Sequence, residues 1–156
     1  LSFPLIGKRG HQSDMAKLQL VVVTAEGESF SGEVDTVVAP GEVGEFTVLP
    51  SHARLISNLV SGVLRFDQDG DSVSLALTGG FLEVSDNRVT VLADAAERDD
   101  AIDLERAEAA LERAQHRIDS DPSSQDLERA LASVRRARVR VNLGRRNRNR
   151  GGTAAR

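Results

Sequence analysis

Two apolar seams within residues 102–141 most restrict what this chain can fold into. Their members recur every three or four residues, which keeps each seam on one side of an α-helix. The first seam is Leu104, Ala107, Leu111, Ala114 and Ile118, and the second is Leu127, Ala130, Val134, Ala137 and Val141. Between them, Pro122 cannot lie inside a helix, and Ser123 with Asp126 forms a capping-box pattern. The pattern predicts two helices folded back as an antiparallel hairpin.

We expect this hairpin to be weakly held. Four of its ten seam residues are alanine, and each larger one contributes only about 1.5–3 kcal/mol when it is fully buried. Ordering the backbone costs about 1–2 kcal/mol for every residue. The hairpin should therefore not be an independent domain, and it should rest on the preceding domain, a partner or a ligand.

Residues 17–92 show the alternating apolar pattern of short strands. Turn signals separate these strands at intervals of roughly 8–12 residues, which predicts a β-sandwich or a flattened barrel. Pro40-Gly41, Gly79-Gly80 and Asp86-Asn87 are among these signals. The sequence thus predicts an N-terminal antiparallel β-sandwich followed by a C-terminal antiparallel helical hairpin.

The chain is expected to divide into four segments. Residues 1–14 show no pattern and should be a leader outside the fold. Residues 15–98 should form the sandwich, and residues 99–143 the hairpin. The run that begins at Gly144 contains arginine, asparagine and glycine without an apolar residue, so residues 144–156 are predicted to be a disordered basic tail.

Charge is distributed unevenly along the chain. Residues 129–156 contain ten arginines and no acid, so this end carries +10 and the remainder −14, for a net charge of −4. Such a division suggests that the C-terminal end faces an acidic surface, a phosphate or nucleic acid, although a solvated arginine-rich tail is the alternative after Leu143. The acids before the first helix should suit the positive end of its dipole: Asp94, Glu97, Asp99 and Asp100.

The residues that usually carry catalysis do not form a recognisable set here. The chain has no cysteine, which excludes disulfides and thiolate metal sites. Its three histidines, His11, His52 and His116, are not at ligand spacing, so no metal site is expected. No nucleophile elbow or phosphate-binding glycine loop is present, and no apolar run approaches the ~20 residues of a membrane span.

One set of charged residues on the predicted helices suits a phosphate-bearing ligand. It consists of Arg106, Arg113, Arg136, Arg140 and Asp103. If the hairpin closes, four guanidinium groups and one carboxylate converge near the sandwich, and guanidinium forks bind phosphate well. The alternative, which spacing alone favours, is that they are exposed charges paired with acids such as Glu105 and Glu112.

Five motifs carry a resemblance to a known family. They are Phe30-Ser31-Gly32 and residues 40–53, 79–84, 87–94 and 102–107. In this order and spacing, the stretch from Leu18 to Val141 resembles the epsilon subunit of bacterial-type F-type ATP synthases. Thr47 and Ser51 depart from the pattern, since the family usually has glycine at both positions.

The resemblance implies a non-catalytic subunit of the rotating central stalk, in an enzyme that couples proton flow to ATP synthesis. The sandwich would sit at the foot of the gamma subunit on the c-ring, peripheral on the cytoplasmic face of the bacterial plasma membrane. Glu45 would face the c-ring, and His52 would lie near gamma. The hairpin would permit turnover when folded, and it would block ATP hydrolysis when extended towards the alpha and beta subunits.

In some members of this family the folded hairpin also binds ATP, as a regulatory ligand rather than a required cofactor. By resemblance, the matching residues are Ile102, Asp103, Arg106, Ala107, Arg113, Arg136 and Arg140. We therefore expect a population shift, in which nucleotide favours the folded hairpin and an acidic partner favours the extended one. A nucleic-acid-binding module that uses the arginine-rich C-terminus is the alternative function, although the acidic β region and the lack of Trp and Tyr weaken it.

Overall fold

The computed structural model describes residues 16–120 and 126–153, with side chains described as far as residue 150. The strands are β1 (Leu18–Thr24), β2 (Gly27–Val34), β3 (Thr36–Gly41), β4 (Gly44–Val48), β5 (Leu55–Gln68), β6 (Asp71–Ser85), β7 (Arg88–Ala93) and β8 (Ala96–Arg98). The helices are α1 (Leu104–Ser120) and α2 (Leu127–Thr153). The predicted leader and the predicted turn at residues 121–124 lie outside the described residues.

The strands form a sandwich because two long strands take part in both layers. β5 and β6 pair along almost their whole length, from Leu55 with Val84 to Gln68 with Asp71. The later half of β6 continues through β7 and β1 to β2, whereas its earlier half pairs with β8, and β5 leads through β3 to β4. The predicted fold class is confirmed, although β1 and β7 pair in parallel and the sheet is therefore mixed.

Gly79 and Gly80 lie inside β6 and do not separate two strands. Their φ angles are +113° and +126°, values that residues other than glycine rarely adopt. Pairing with β5 continues on both sides, with Leu59 opposite Gly80 and Ser61 opposite Thr78. The prediction of a turn here was wrong, because the two glycines bend the strand without ending its pairing.

The core of the sandwich is made by strand residues alone. Its largest fully buried side chains are Phe66, Leu18, Leu20, Leu64, Leu75, Leu77 and Leu82. Phe30 packs on Phe66 with ring centroids 4.3 Å apart. Within the described ranges, no helix residue belongs to this buried cluster.

The two helices pack against each other along the predicted seams, and α2 also lies against β5 and β6. All ten seam residues are buried or half-buried, so the predicted amphipathic pattern is confirmed. Ala107, Ala114 and Ala137 are each only 5% exposed, because small side chains allow two helix axes to approach closely. In the part of the chain that the structure describes, no helix is both long and apolar enough to cross a membrane.

Helix α2 does not end at Leu143. It continues to Thr153, and Leu143 is only 4% exposed. The prediction of a disordered tail was therefore wrong for residues 144–153, because the extension contacts α1 through Gly144 and through an ion pair between Arg145 and Glu108. Residues 154–156 lie outside the described ranges.

Candidate functional site

A cleft of about 600 Å³ lies where α1, α2 and β8 meet the segment between β8 and α1. That segment, residues 99–103, is called the linker below. The residues that line the cleft are Glu26, Glu97, Ala101, Ile102, Asp103, Arg106, Ala107, Ala110 and Arg140. The cleft therefore joins parts of the chain that are more than 100 residues apart.

The structure brings together five of the seven residues that were matched to ATP binding. Those in the cleft are Ile102, Asp103, Arg106, Ala107 and Arg140. Arg113 is exposed on α1, and Arg136 donates from Nη2 to Ser133 Oγ at 3.0 Å. Two guanidinium groups converge instead of the four that the spacing allowed.

Arg140 is already paired in the cleft. Its Nε donates to Glu97 Oε2 at 2.7 Å, and each of the two side chains is 32% exposed. The bond ties α2 to β8, the last strand of the sandwich. This role of Glu97 was not predicted from the sequence, which grouped Glu97 with the acids expected to stabilise the start of the first helix. Because α1 begins seven residues after Glu97, its carboxylate is too far from the helix start to interact with the dipole.

Asp103 has a structural role at the start of α1. Its Oδ1 accepts a hydrogen bond from the backbone N–H of Arg106 at 3.0 Å, the arrangement of a helix N-cap. Its carbonyl oxygen accepts the backbone N–H of Ala107 at 3.0 Å. A ligand in the cleft would therefore meet a carboxylate that already has one donor.

Arg106 is the cation of the cleft that remains available. Its side chain is exposed, and it forms no ion pair with any residue in the described ranges. The predicted alternative, pairing of Arg106 and Arg113 with Glu105 or Glu112, is not formed within those ranges. Two guanidinium groups face three carboxylates, those of Glu26, Glu97 and Asp103. A phosphate group placed in the cleft would therefore meet Arg106 and would compete with Glu97 for Arg140.

The sandwich has an apolar face turned away from its core. Phe81 on β6 lies directly beside Leu92 on β7, and these side chains are 57% and 55% exposed. Ile56 and Val60 on β5 are 75% and 41% exposed. We call these four residues the outer apolar patch, and an exposed apolar cluster of this kind commonly marks a protein–protein contact.

Glu45 and His52, the two predicted subunit contacts, do not line the cleft: Glu45 is the second residue of β4, and His52 lies between β4 and β5. Glu45 follows the turn between β3 and β4 and accepts from Arg65 Nη2 at 3.1 Å. His52 donates its backbone N–H to Leu49 O at 3.1 Å. Before it, Ser51 has a φ of +64°, which explains why glycine is the expected residue at this position.

The comparisons with known proteins cover most of the chain. Residues 17–99 match the family model described as ATP synthase, Delta/Epsilon chain, beta-sandwich domain. Residues 100–143 match ATP synthase, Delta/Epsilon chain, long alpha-helix domain. Within the described residues, no group of His, Asp and Glu side chains is arranged to hold a metal ion.

Similar proteins come from bacteria and from a mitochondrial complex. The ATP synthase epsilon chain of Desulforamulus reducens is 51% identical over 114 residues, which are 72% of this chain and 86% of the relative. That of Carboxydothermus hydrogenoformans is 53% identical over 102 residues, 65% of this chain and 76% of the relative. A chain of the Euglena gracilis mitochondrial ATP synthase, in a structure of OSCP, F1 and c-ring, shares the fold with a TM-score of 0.70, 20% identity and 88% coverage of both chains.

Proposed function

The chain belongs to the ATP synthase delta/epsilon chain family, and on that premise we propose that its sandwich docks on the stalk while its hairpin regulates ATP hydrolysis. Members of the family are non-catalytic, and the chain is a central-stalk subunit of an F-type ATP synthase, which couples proton transport to ATP synthesis. The family match favours this role over a free-standing nucleic-acid-binding module. The proposed location is the cytoplasmic face of the bacterial plasma membrane, where the subunit is held by the complex.

We infer that the outer apolar patch is the surface that binds the gamma subunit. Its exposed side chains would be buried by such a partner, and each large one contributes about 1.5–3 kcal/mol when it is removed from water. Glu42, in the turn that precedes Glu45, shares a surface groove with Val60 and Phe81. The turn and the patch are therefore continuous, so a partner on the patch also lies close to the turn.

The same turn is the proposed contact with the c-ring. Val43 at its tip is fully exposed, and Glu45 is held on β4 by Arg65. An apolar side chain at the tip with a carboxylate beside it resembles the apolar centre and polar rim of a protein–protein contact. His52 lies on a different loop and is proposed, as the resemblance implies, to lie near gamma.

The observation that carries the regulatory proposal is that the hairpin lies on the sandwich without sharing its core. All residues of the main buried cluster belong to strands, and the buried residues of α1 are both alanines. Detachment would therefore expose little of the sandwich interior. Two docking arrangements that differ by a few kcal/mol are enough for a ligand or a partner to select between them.

Nucleotide in the cleft is the proposed signal for the folded arrangement. The cleft is built from both helices, the linker and β8, so a ligand there contacts every part that must separate when the hairpin extends. At a concentration 100 times its dissociation constant, a ligand stabilises the state that it binds by about 2.7 kcal/mol. That contribution is large enough to reverse a marginal preference.

We predict that ATP binds the full chain and that Arg140→Ala weakens binding about tenfold or more, because a charged hydrogen-bonding group contributes about 1.5–3 kcal/mol. Isothermal calorimetry measures the dissociation constant. Arg138→Ala is the matched control, since Arg138 is exposed on the same helix and does not line the cleft. An absence of binding up to millimolar ATP would remove the nucleotide signal and leave the stalk role unchanged.

A further inference from the structure

Three residues near the end of α2 hold it against the start of α1 and the linker. Gly144 lies so close that a Cβ placed on it would be 3.2 Å from Ile102 Cγ2. Arg145 donates from Nε and Nη2 to Glu108 Oε1 at 3.0 and 2.7 Å. Asn147 Nδ2 donates to the backbone carbonyl oxygen of Asp99 at 3.1 Å. We call Gly144, Arg145 and Asn147 the clasp.

The clasp lies beyond the part of the chain that the family model matches, which ends at residue 143. It reaches two separate elements, because Glu108 is on α1 whereas Asp99 directly follows β8. While Asn147 is bonded to Asp99, the end of α2 stays beside the sheet. The Asn147–Asp99 bond therefore has to break before α2 can leave the sandwich, and the Arg145–Glu108 pair has to break before α2 can separate from α1.

We propose that the clasp is a regulatory element that holds the hairpin in the folded arrangement when no nucleotide is bound. The proposal rests on the proposed function, since it concerns the same two arrangements of the hairpin. The Arg145–Glu108 pair is partly solvent-exposed, at 57% and 41% of the two side chains, so it is weak alone. With the Asn147 bond and the Gly144 contact beside it, the end of α2 is fixed at three points.

The clasp also touches the cleft. Ile102 lines the cleft on one side and contacts Gly144 on the other, and Arg140 is one helical turn before Gly144. A bound nucleotide and the clasp would consequently stabilise the same arrangement of the linker. By thermodynamic linkage, each should strengthen the other whenever the open hairpin is populated.

Amide hydrogen exchange of the full chain, followed by mass spectrometry, tests the clasp without nucleotide. The variant is Arg145→Ala with Asn147→Ala, and the matched control is Arg146→Ala with Arg148→Ala. Arg146 and Arg148 are exposed on the same turns and form no ion pair with any described residue. We expect hairpin amides to exchange about five- to twentyfold faster in the clasp variant, with sandwich amides and the control variant unchanged.

A charge exchange separates the specific pair from a general effect on helix stability. Arg145→Glu should speed exchange in the hairpin because it places two carboxylates side by side. Adding Glu108→Arg to the same chain should return the exchange rate towards that of the wild type, as a double-mutant cycle requires for residues in direct contact.

Two results would overturn the proposal in distinguishable ways. Equal hairpin exchange in the wild type, the clasp variant and the control would remove the clasp, while protection of the wild type by ATP would leave the proposed function intact. Hairpin amides that exchange only as slowly as core strands, in every variant and with no effect of ATP, would remove both the clasp and the detachable hairpin. Faster exchange in the clasp variant without any effect of ATP would support the clasp and reject the nucleotide signal.

Discussion

A Cβ placed on Gly80 would lie 2.0 Å from the carbonyl oxygen of Leu92 and 2.8 Å from Cα of Ala93. Both atoms belong to the backbone of the neighbouring strand, so neither can move as a flexible side chain does. At the scale of single residues this contact shows why the bend of β6 needs glycine: the requirement comes from β7 as much as from the positive φ.

We predict that Gly80→Ala lowers the free energy of unfolding by about 2–4 kcal/mol, because a steric clash and an unfavourable φ act together. Chemical denaturation measures this change. Gly27→Ala is the control, since Gly27 has a similar φ of +129° and no atom within 4 Å of the added Cβ. Equal losses in the two variants would show that φ alone accounts for the effect.

Lys17, the residue before β1, provides a prediction about the pH dependence of stability. Its hydrogen bond with Asp69 raises its pKa, and the charge of Asp35 also contributes. Because the folded state holds the proton more tightly, Lys17 contributes stability below the unfolded pKa of about 10.4, and this contribution is lost as pH rises through the folded pKa. Lys17→Met should therefore lower the denaturation midpoint at pH 8, and the difference from the wild type should disappear in strongly alkaline solution. A difference that stays constant to pH 11.5 would contradict the assignment.

At the scale of elements, the periodicity of apolar residues predicted the features that depend on a buried helix face. It missed the features that depend on contacts made by the backbone. Both seams were predicted because a buried helical face must recur every three or four residues. The extension of α2 gave no such signal, since Gly144 packs through its backbone and Asn147 bonds a carbonyl oxygen. The bend at Gly79-Gly80 was predicted as a turn because sequence alone does not show that pairing with β5 continues.

The residues of the cleft were predicted only in part, because one of its main contacts joins residues far apart in the chain. The resemblance supplied five residues that line it, whereas nothing in the sequence pointed to Glu97, whose partner Arg140 is 43 residues away. Pairs at that separation depend on how β8 is placed beside α2. The helices could therefore be predicted from local pattern, but the charge balance of the cleft required the tertiary structure.

The prediction at the scale of elements concerns Glu97. We expect Glu97→Gln to bind ATP about fivefold more tightly, because it frees Arg140 and removes a negative charge from the cleft. Asp100→Asn is a suitable control, since Asp100 pairs with Arg98 and does not line the cleft. Calorimetry of the two full-length variants makes the comparison. Weaker binding by Glu97→Gln would mean that Glu97 helps to hold the ligand.

At the scale of the whole molecule, the two candidate binding surfaces lie on different parts of the chain. The outer apolar patch belongs to the sandwich and the cleft depends on the hairpin. Opposite charges are also separated along the chain, and the Arg140–Glu97 ion pair joins the basic helix to the acidic sandwich. A variant can therefore test the proposed stalk contact without altering the cleft.

We predict that Phe81→Asp weakens binding to the cognate gamma subunit more than tenfold, because it places a charge in the middle of the outer apolar patch. Co-purification and titration of gamma with the full chain measure this effect. Glu28→Lys is the control, since Glu28 is exposed on β2 and outside the patch. Binding of gamma by Phe81→Asp with unchanged affinity would move the contact elsewhere on the sandwich.

The pairing of β8 with β6 also limits how far the hairpin can travel. Since β8 is hydrogen-bonded to the sheet, the pivot of the proposed movement would be the five-residue stretch between Arg98 and Leu104. Fully stretched, five residues reach about 18 Å, and the 17 residues of α1 add a rod of about 26 Å. If the hairpin detaches as proposed, the end of α1 at Ser120 therefore stays within a sphere of about 44 Å around the end of β8, and only a partner inside that radius can meet it.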